Sequence, residues 1–189
     1  MDWLDDYMPK ARDSFDIFRK QVYEEGDLAR VEKELIAVAT ATVMRSEDAV
    51  AEHIDAAREH GASDEEVAAS LGIAWLTTGS TQIYWMQDRY EELLDEAWYK
   101  RHLGEASKAF GDFHEEIYDN SVLDETTAEL AGAAVSVVSR CPHCTESHAE
   151  QAMDAGASKQ AVAEAIGVAW SVAAEAQVNW MDYDALFGE

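Results

Sequence analysis

Proline, cysteine and positive charge are all scarce in this sequence, and each scarcity excludes something. Only two prolines, Pro9 and Pro142, occur in 189 residues. Long helices are therefore possible almost everywhere else, because proline stops a helix by removing an N–H and crowding the preceding turn. The only two cysteines, Cys141 and Cys144, lie almost side by side. A structural staple is expected to close a longer loop, so this spacing points to redox or metal chemistry. No run of about 18 apolar residues exists, which excludes a membrane-spanning helix. Nothing alternates with period two for long enough to read as a strand. The opening residues Met1-Asp2-Trp3-Leu4-Asp5-Asp6 are acidic where a signal peptide is basic. A cytoplasmic location is the expectation.

Fourteen basic residues face 39 acidic ones, for a formal charge of -25. The acids are dispersed along the chain, so no single tail accounts for them. Such a field repels nucleic acid and anionic membrane surfaces, so neither is an expected partner. It also strains a compact state by self-repulsion, which salt relieves: the Debye length is about 10 Å at 0.1 M and about 3 Å at 1 M. The surface therefore reads as that of a halophile's cytoplasmic protein, with an acidic and merely very soluble protein as the alternative. The 48% apolar content is ample for a core.

Shifted by 95 residues, the sequence aligns with itself without a gap: Glu34-Leu35 meets Glu129-Leu130, His53 meets His148, and Gly61-Ala62-Ser63 meets Gly156-Ala157-Ser158. Gly72, Ala74 and Trp75 meet Gly167, Ala169 and Trp170, and Gln82, Trp85 and Met86 meet Gln177, Trp180 and Met181. Phe15, Phe18, Tyr23 and Leu28 meet Phe110, Phe113, Tyr118 and Leu123. This register makes the chain a tandem duplication. The expected boundaries are 1–95 for a first repeat and 96–189 for a second.

Each repeat reads as helices, giving an all-α fold. Apolar spacing predicts a helix over 11–24 with Phe15, Phe18 and Val22 on one face. Residues 30–45, nearly all Ala, Val, Leu and Ile in their middle, predict a helix buried on most sides. Residues 47–60 predict an amphipathic helix ending at Gly61. Ser63 and Glu66 have the spacing of a capping box, opening a helix to about Thr77, with a further helix through Tyr84, Trp85 and Met86. The second repeat predicts helices at 106–118, 125–140, 142–155, 159–173 and 175–186, with an acidic linker near 88–97 joining the units. Trp75, Trp85, Trp170 and Trp180 recur in both halves, so core or subunit-contact packing is expected of them rather than substrate contact.

The chemistry concentrates in Glu129…Cys141-Pro142-His143-Cys144…His148. Pro142 suits a first helical position, which puts Cys141 near the N-cap and Cys144 in the first turn. Backbone N–H groups and the helix dipole there favour an anion such as a thiolate, and a lowered thiol pKa makes a nucleophile. Cys144 and His148 are four positions apart, so they share a helix face and His148 can take a thiol proton. Glu129, on the preceding buried helix, can orient that histidine as a carboxylate orients a base in a triad. The two cysteines are close enough to form a disulfide once one is oxidised. In the first repeat Glu34 and His53 remain, but Ser46 and Ala49 stand where the cysteines would be. A thiol cycle there is impossible, and a buried polar pair inherited from the duplication is expected. His60, His102 and His114 lack partners at motif spacing and read as solvated surface.

Those five residues at those spacings, with His143 inside the Cys-x-x-Cys, resemble the alkylhydroperoxidase D branch of the carboxymuconolactone decarboxylase family. The resemblance covers 125–184 well and the first repeat more loosely. It implies a thiol-dependent hydroperoxide reductase in which Cys144 attacks the peroxide and Cys141 resolves it to a disulfide. Glu129 and His148 then form the proton relay, and His143 tunes it. It also implies an organic hydroperoxide substrate, a dithiol donor such as a lipoyl group or a thioredoxin-like protein, no cofactor, and a homo-oligomer, a trimer or larger. Trp3, Trp98 and Tyr99 look exposed enough to serve such contacts. The helix geometry alone leaves open which cysteine attacks.

Three other readings stand beside this one. Cys141, Cys144, His148 and Glu129 could together ligate zinc. A decarboxylase or lactone-processing role belongs to a branch without the cysteine pair. A non-catalytic binding or assembly module would suit the degenerate first half. A disulfide reductase is a near neighbour of the peroxidase. The charge reading has its own test, thermal melting as a function of sodium chloride. The melting temperature should fall steadily as salt drops from molar towards about 0.1 M; a melting temperature indifferent to salt rejects it.

Overall fold

A computed structural model describes residues 2–94, 97–180, 183 and 185 of the chain. Among these residues the chain is helical and contains no strand, as the sequence leads one to expect. The helices are α1 (Asp2–Tyr7), α2 (Pro9–Val22), α3 (Arg30–Met44), α4 (Glu47–Glu59) and α5 (Asp64–Leu94), then α6 (Trp98–His102), α7 (Glu105–His114), α8 (Glu125–Val138), α9 (Pro142–Asp154) and α10 (Lys159–Asn179). A π-helical turn, Glu115–Asp119, prolongs α7.

The two Ala-rich helices α3 and α8 form the centre and pack on each other. Lys33 to Ala41 and Thr127 to Ser136 are buried without interruption. Their small side chains let neighbouring helices approach from several sides, and Ile36, Leu130 and Val135 fill the space between. Burying each such side chain is worth about 1.5–3 kcal/mol. α4 packs on α3, and α9 packs on α8. The long helices α5 and α10 do something the repeat alone does not announce: each packs on its own repeat's central helix and also on that of the other repeat. Each of these contacts in one half has its counterpart in the other.

The local stop and start signals act as their chemistry demands. Ser63 N–H donates to Glu66 at 2.7 Å, and Glu66 N–H donates back to the Ser63 hydroxyl at 3.2 Å, completing the capping box of α5. Gly61 and Gly156 take positive φ of 101° and 115° after α4 and α9, where a side chain would be strained. At 77–81 the expected break in the helix does not occur. α5 runs on to Leu94, with non-helical backbone only at Tyr90, and α10 runs unbroken through 174. In α5 the hydroxyls of Ser80 and Thr81 donate back to the carbonyls of Thr77 and Thr78, and packing against α8 outweighs their weak helix propensity. The helix expected at 175–186 is thus the end of α10 as far as Asn179, and 181, 182, 184 and 186 lie outside the described residues. The segment near 88–97 is helical to Leu94 rather than a loose linker, with 95 and 96 outside the described residues.

The tryptophans correct the core half of their expected role. Trp75 is 72% exposed and Trp170 66% exposed, and Trp85 and Trp180 are also exposed. Each long helix buries its small residues, Ala74 and Ala169, and turns the adjacent tryptophan outward. Trp75 meets Phe113, and Trp170 meets Phe18, at ring separations of 4.5 and 4.6 Å. Trp3, Trp98 and Tyr99 are half-buried rather than exposed; Trp3 packs on Tyr183.

One charged clamp fastens the repeats. Glu164 on α10 accepts from the N–H groups of Asp27 and Leu28, both at 3.1 Å, and pairs with the buried Lys33 ammonium at 3.1 Å. Gly26 leaves it room, since a Cβ there would collide with the carboxylate. Burial opposes its ionisation, but Gln160, the two backbone donors and Lys33 hold its pKa down to about 2. A depressed carboxyl pKa contributes stability that is present above the usual carboxyl range and lost as pH falls through the depressed value. Glu164→Gln should therefore lower stability at neutral pH by about 2 kcal/mol, since the buried Lys33 loses its carboxylate and is left with the Glu24 carbonyl. It should also flatten the acid limb between about pH 4.5 and 2. Denaturant melts of both proteins across that range check this, and parallel acid limbs would refute it.

Candidate active site

The site is built where α8 hands the chain to α9. α8 ends with Arg140 in the left-handed region at φ 59°, and the Cys141 N–H closes the turn on the Ser136 carbonyl at 3.0 Å. Arg45 does the same in the first repeat at φ 57°, with Ser46 N–H on the Ala41 carbonyl at 3.2 Å. A non-glycine residue there costs about 1–2 kcal/mol, so this is a fixed feature of the unit, kept even where the cysteines are gone. Cys141 is the N-cap of α9, Pro142 occupies its first turn, and the Cys141 sulfur accepts from the Cys144 N–H at 3.3 Å.

Cys141 and Cys144 are joined as a disulfide, and both are buried. One turn on, His148 presents Nδ1 to Glu129 Oε2 at 2.7 Å. The pair is nearly sealed, with Glu129 6% and His148 9% exposed. A buried carboxylate without a partner would be costly, so the bond both satisfies Glu129 and fixes the imidazole orientation. A cavity of about 530 Å³ opens beside the turn, lined by Val137, Arg140, Cys141, Pro142, Thr145 and Glu146 among others. Cys141 lines it and Cys144 does not. Among the described residues no three His, Cys, Asp or Glu side chains are arranged to hold a metal ion.

Tyr118, Thr77, His114, Tyr84 and Gly132 were not singled out for this site by sequence reasoning, whereas His143 was. Tyr118, set by the π-helical turn, stacks on His148 at 5.3 Å. Its hydroxyl pairs with Thr77 Oγ1 at 2.8 Å. Burial, reinforced by the Glu129 charge and only partly offset by Thr77, pushes the phenol well above its ordinary range, so it stays neutral. His114, read as bare surface, is exposed but also stacks on Tyr118, at 5.0 Å. His143 is exposed at the helix start and stacks on Tyr84 of α5 at 4.7 Å. Gly132, one turn from Glu129, lies beneath both rings: a Cβ there would stand 2.8 Å from His148 Nδ1 and closer still to the Tyr118 hydroxyl. The signals were present but faint. Tyr118 has its counterpart in Tyr23, and Gly132 is a glycine inside a helix where the first repeat has Ala37.

The first repeat keeps the pair and the stacked tyrosine but surrounds them with charged groups. His53 Nδ1 meets Glu34 Oε2 at 2.7 Å, with Tyr23 stacked on the ring at 5.6 Å. Arg30, which has Glu125 as its counterpart, bonds Glu34 at 2.6 Å and lies over the Tyr23 ring. Arg19, in the place of His114, bonds Glu52 and approaches the buried Glu175 at 3.6 Å. Burial by itself would raise Glu34, but His53 and Arg30 outweigh it and lower the carboxyl. Burial raises Glu175, only partly offset by Arg19. His60 and His102 are exposed.

The sequence profile of the "Carboxymuconolactone decarboxylase family" matches this chain twice, over residues 9–86 and 104–181. A protein of Corynebacterium aurimucosum named "Alkyl hydroperoxide reductase AhpD" is 31% identical over 147 residues, covering 76% of this chain and 72% of that protein. A protein of the same name from Corynebacterium kroppenstedtii is 27% identical over 140 residues, covering 74% and 73%. An "Uncharacterized protein 4 in cox locus" of Paracoccus denitrificans is 35% identical over 74 residues, covering 35% and 67%.

Gly132 supplies the direct test of this packing. Gly132→Ala should destabilise the fold by about 1–3 kcal/mol, because both rings above it are already tied to partners. Gly111→Ala, where a Cβ meets nothing within 4 Å, should be neutral or stabilise by up to about 1 kcal/mol. Chemical denaturation compares the two, and equal effects would mean that the close approach at Gly132 is not a constraint.

Proposed function

The chain belongs to the carboxymuconolactone decarboxylase family, in its alkylhydroperoxidase D-like branch, and from that premise we propose that it is a thiol-dependent hydroperoxide reductase. The carrying observation is the Glu129–His148 pair, bonded at 2.7 Å, one helical turn from a joined Cys141–Cys144 pair. In the reduced protein His148 takes the Cys144 proton while Glu129 holds the imidazolium. The Cys144 thiolate attacks one peroxide oxygen, the O–O bond breaks, and the alkoxide leaves as alcohol with the proton from His148. Cys144 is then a sulfenic acid. Cys141 attacks its sulfur, water leaves, and the disulfide closes. A dithiol donor, a lipoyl group or a thioredoxin-like protein, returns two electrons and two protons. The cavity beside Cys141 supports attack by the donor on that sulfur, which releases Cys144 beside its histidine.

The same reading makes His143 a tuning group at the helix start. It makes the exposed Trp75, Trp85, Trp170 and Trp180 the contact surfaces of a homo-oligomer working in the cytoplasm.

Intact mass of the fully reduced, chelator-treated protein is measured in high salt, before and after one equivalent of an organic hydroperoxide. A loss of two hydrogens, reversed by a dithiol, is the expected result. Cys144→Ser should abolish it, and Glu129→Gln should slow it by about 10²-fold or more, a typical contribution of positioned proton transfer. An unchanged mass with both thiols still open to alkylation would reject the proposal.

A further inference from the structure

The helix that roofs the redox turn comes from the other repeat. Thr77, Thr81 and Tyr84 recur at i, i+4 and i+7 on α5, one stripe of a helix surface. Thr77 and Thr81 are each 1% exposed. Thr77 holds the hydroxyl of Tyr118, whose ring stacks on His148, and Tyr84 stacks on His143. His148 and His143 are thus both braced by first-repeat side chains, the former through Tyr118 and the latter directly.

The mirror arrangement lacks this brace. The counterpart of Thr77 on α10 is Val172, and that of Tyr84 is Asn179. Tyr23, the counterpart of Tyr118, is buried, and its hydroxyl has no hydrogen-bond partner among the described residues. The Thr77–Tyr118 bond is therefore not a requirement of the shared fold, because the same fold stands without it on the thiol-free side. The polar brace occurs on the side that has thiols to serve.

We propose that Thr77 and Tyr84 are positioning residues of the Cys141–Cys144 site, supplied by the repeat that has lost its own cysteines. The inference rests on the redox reading of that site. Thr77 fixes the Tyr118 ring, the ring fixes the plane of His148 against Glu129, and that geometry sets how readily Cys144 loses its proton. Tyr84 pins His143 over the first turn of α9, whose N–H groups favour the thiolate. The other titratable groups around these rings are Glu129 and His114, and the Tyr99 and Lys100 side chains beside Tyr84.

The test uses the full-length reduced protein and no peroxide: the rate of thiol alkylation by iodoacetamide is followed against pH. Thr77→Val and Tyr84→Leu should each raise the midpoint of that profile by about half a unit, slowing alkylation about threefold below it. Thr77→Ser, which keeps the hydroxyl, and Tyr84→Phe, which keeps the ring, should hold the original midpoint. Should Thr77→Val fail to fold, Tyr118→Phe removes the other end of the same hydrogen bond and should raise the midpoint equally. A folded variant with an unmoved midpoint overturns the assignment of that residue. Failure of the peroxidase proposal registers separately, as an unchanged mass with hydroperoxide, and leaves this titration intact.

Discussion

A carboxylate buried in the middle of an apolar helix can be stable only if something charged or strongly polar comes to meet it, and this molecule is arranged around that demand twice. Glu34 on α3 and Glu129 on α8 sit among alanines and leucines, 1% and 6% exposed. Each is met by a histidine 19 residues later, at 2.7 Å. The bond dictates how far α4 and α9 slide along their central helices, because any other register strands a charge in a dry interior. The left-handed turn at Arg45 and Arg140 and the helix lengths serve to deliver the imidazole to that point.

With the pair fixed, the two repeats have taken opposite routes to satisfying its surroundings. The first repeat draws in charge: Arg19, Arg30, Glu52 and Glu175 gather about Glu34 and His53, in a chain with only 14 basic residues. At the 95-residue offset their counterparts around Glu129 and His148 are His114, Glu125, Ser147 and, on α5 of the first repeat, Ser80. There the space near the pair goes to stacked rings and to the cysteines. One neighbourhood neutralises the carboxylate with guanidinium groups. The other leaves the imidazole as its main partner. Ser46 and Ala49 stand in place of the cysteines on the side that takes the first route.

Much of this was legible in the sequence because it is written in short spacings. The helix over 30–45, the capping box at Ser63, the glycine stops and the approach of Glu129 to His148 follow from periodicity and from a self-match at one offset. What the sequence did not yield is carried by contacts between repeats or by the direction a side chain faces. Thr77 meeting Tyr118 and Tyr84 meeting His143 join residues 41 and 59 positions apart on different helices, and no spacing rule reaches them. Trp75 and Trp170 are as apolar as any core residue, and their outward direction depends on which face of a long helix the alanines claim. The continuity of α5 through Thr77-Thr78-Gly79-Ser80-Thr81 is likewise a tertiary effect, one that local propensity argues against.

The exchange of α5 and α10 between the halves carries a consequence for dilution. A protein made of one repeat would have no foreign helix to close its site, and could complete it only by pairing with a second copy, at a rate and extent set by concentration. Joining two units in one chain turns that association into an internal event, governed by a fixed effective concentration that no dilution can lower. Only then is one of the two sites free to drift, because the helix it lends is guaranteed to the other whatever becomes of its own chemistry.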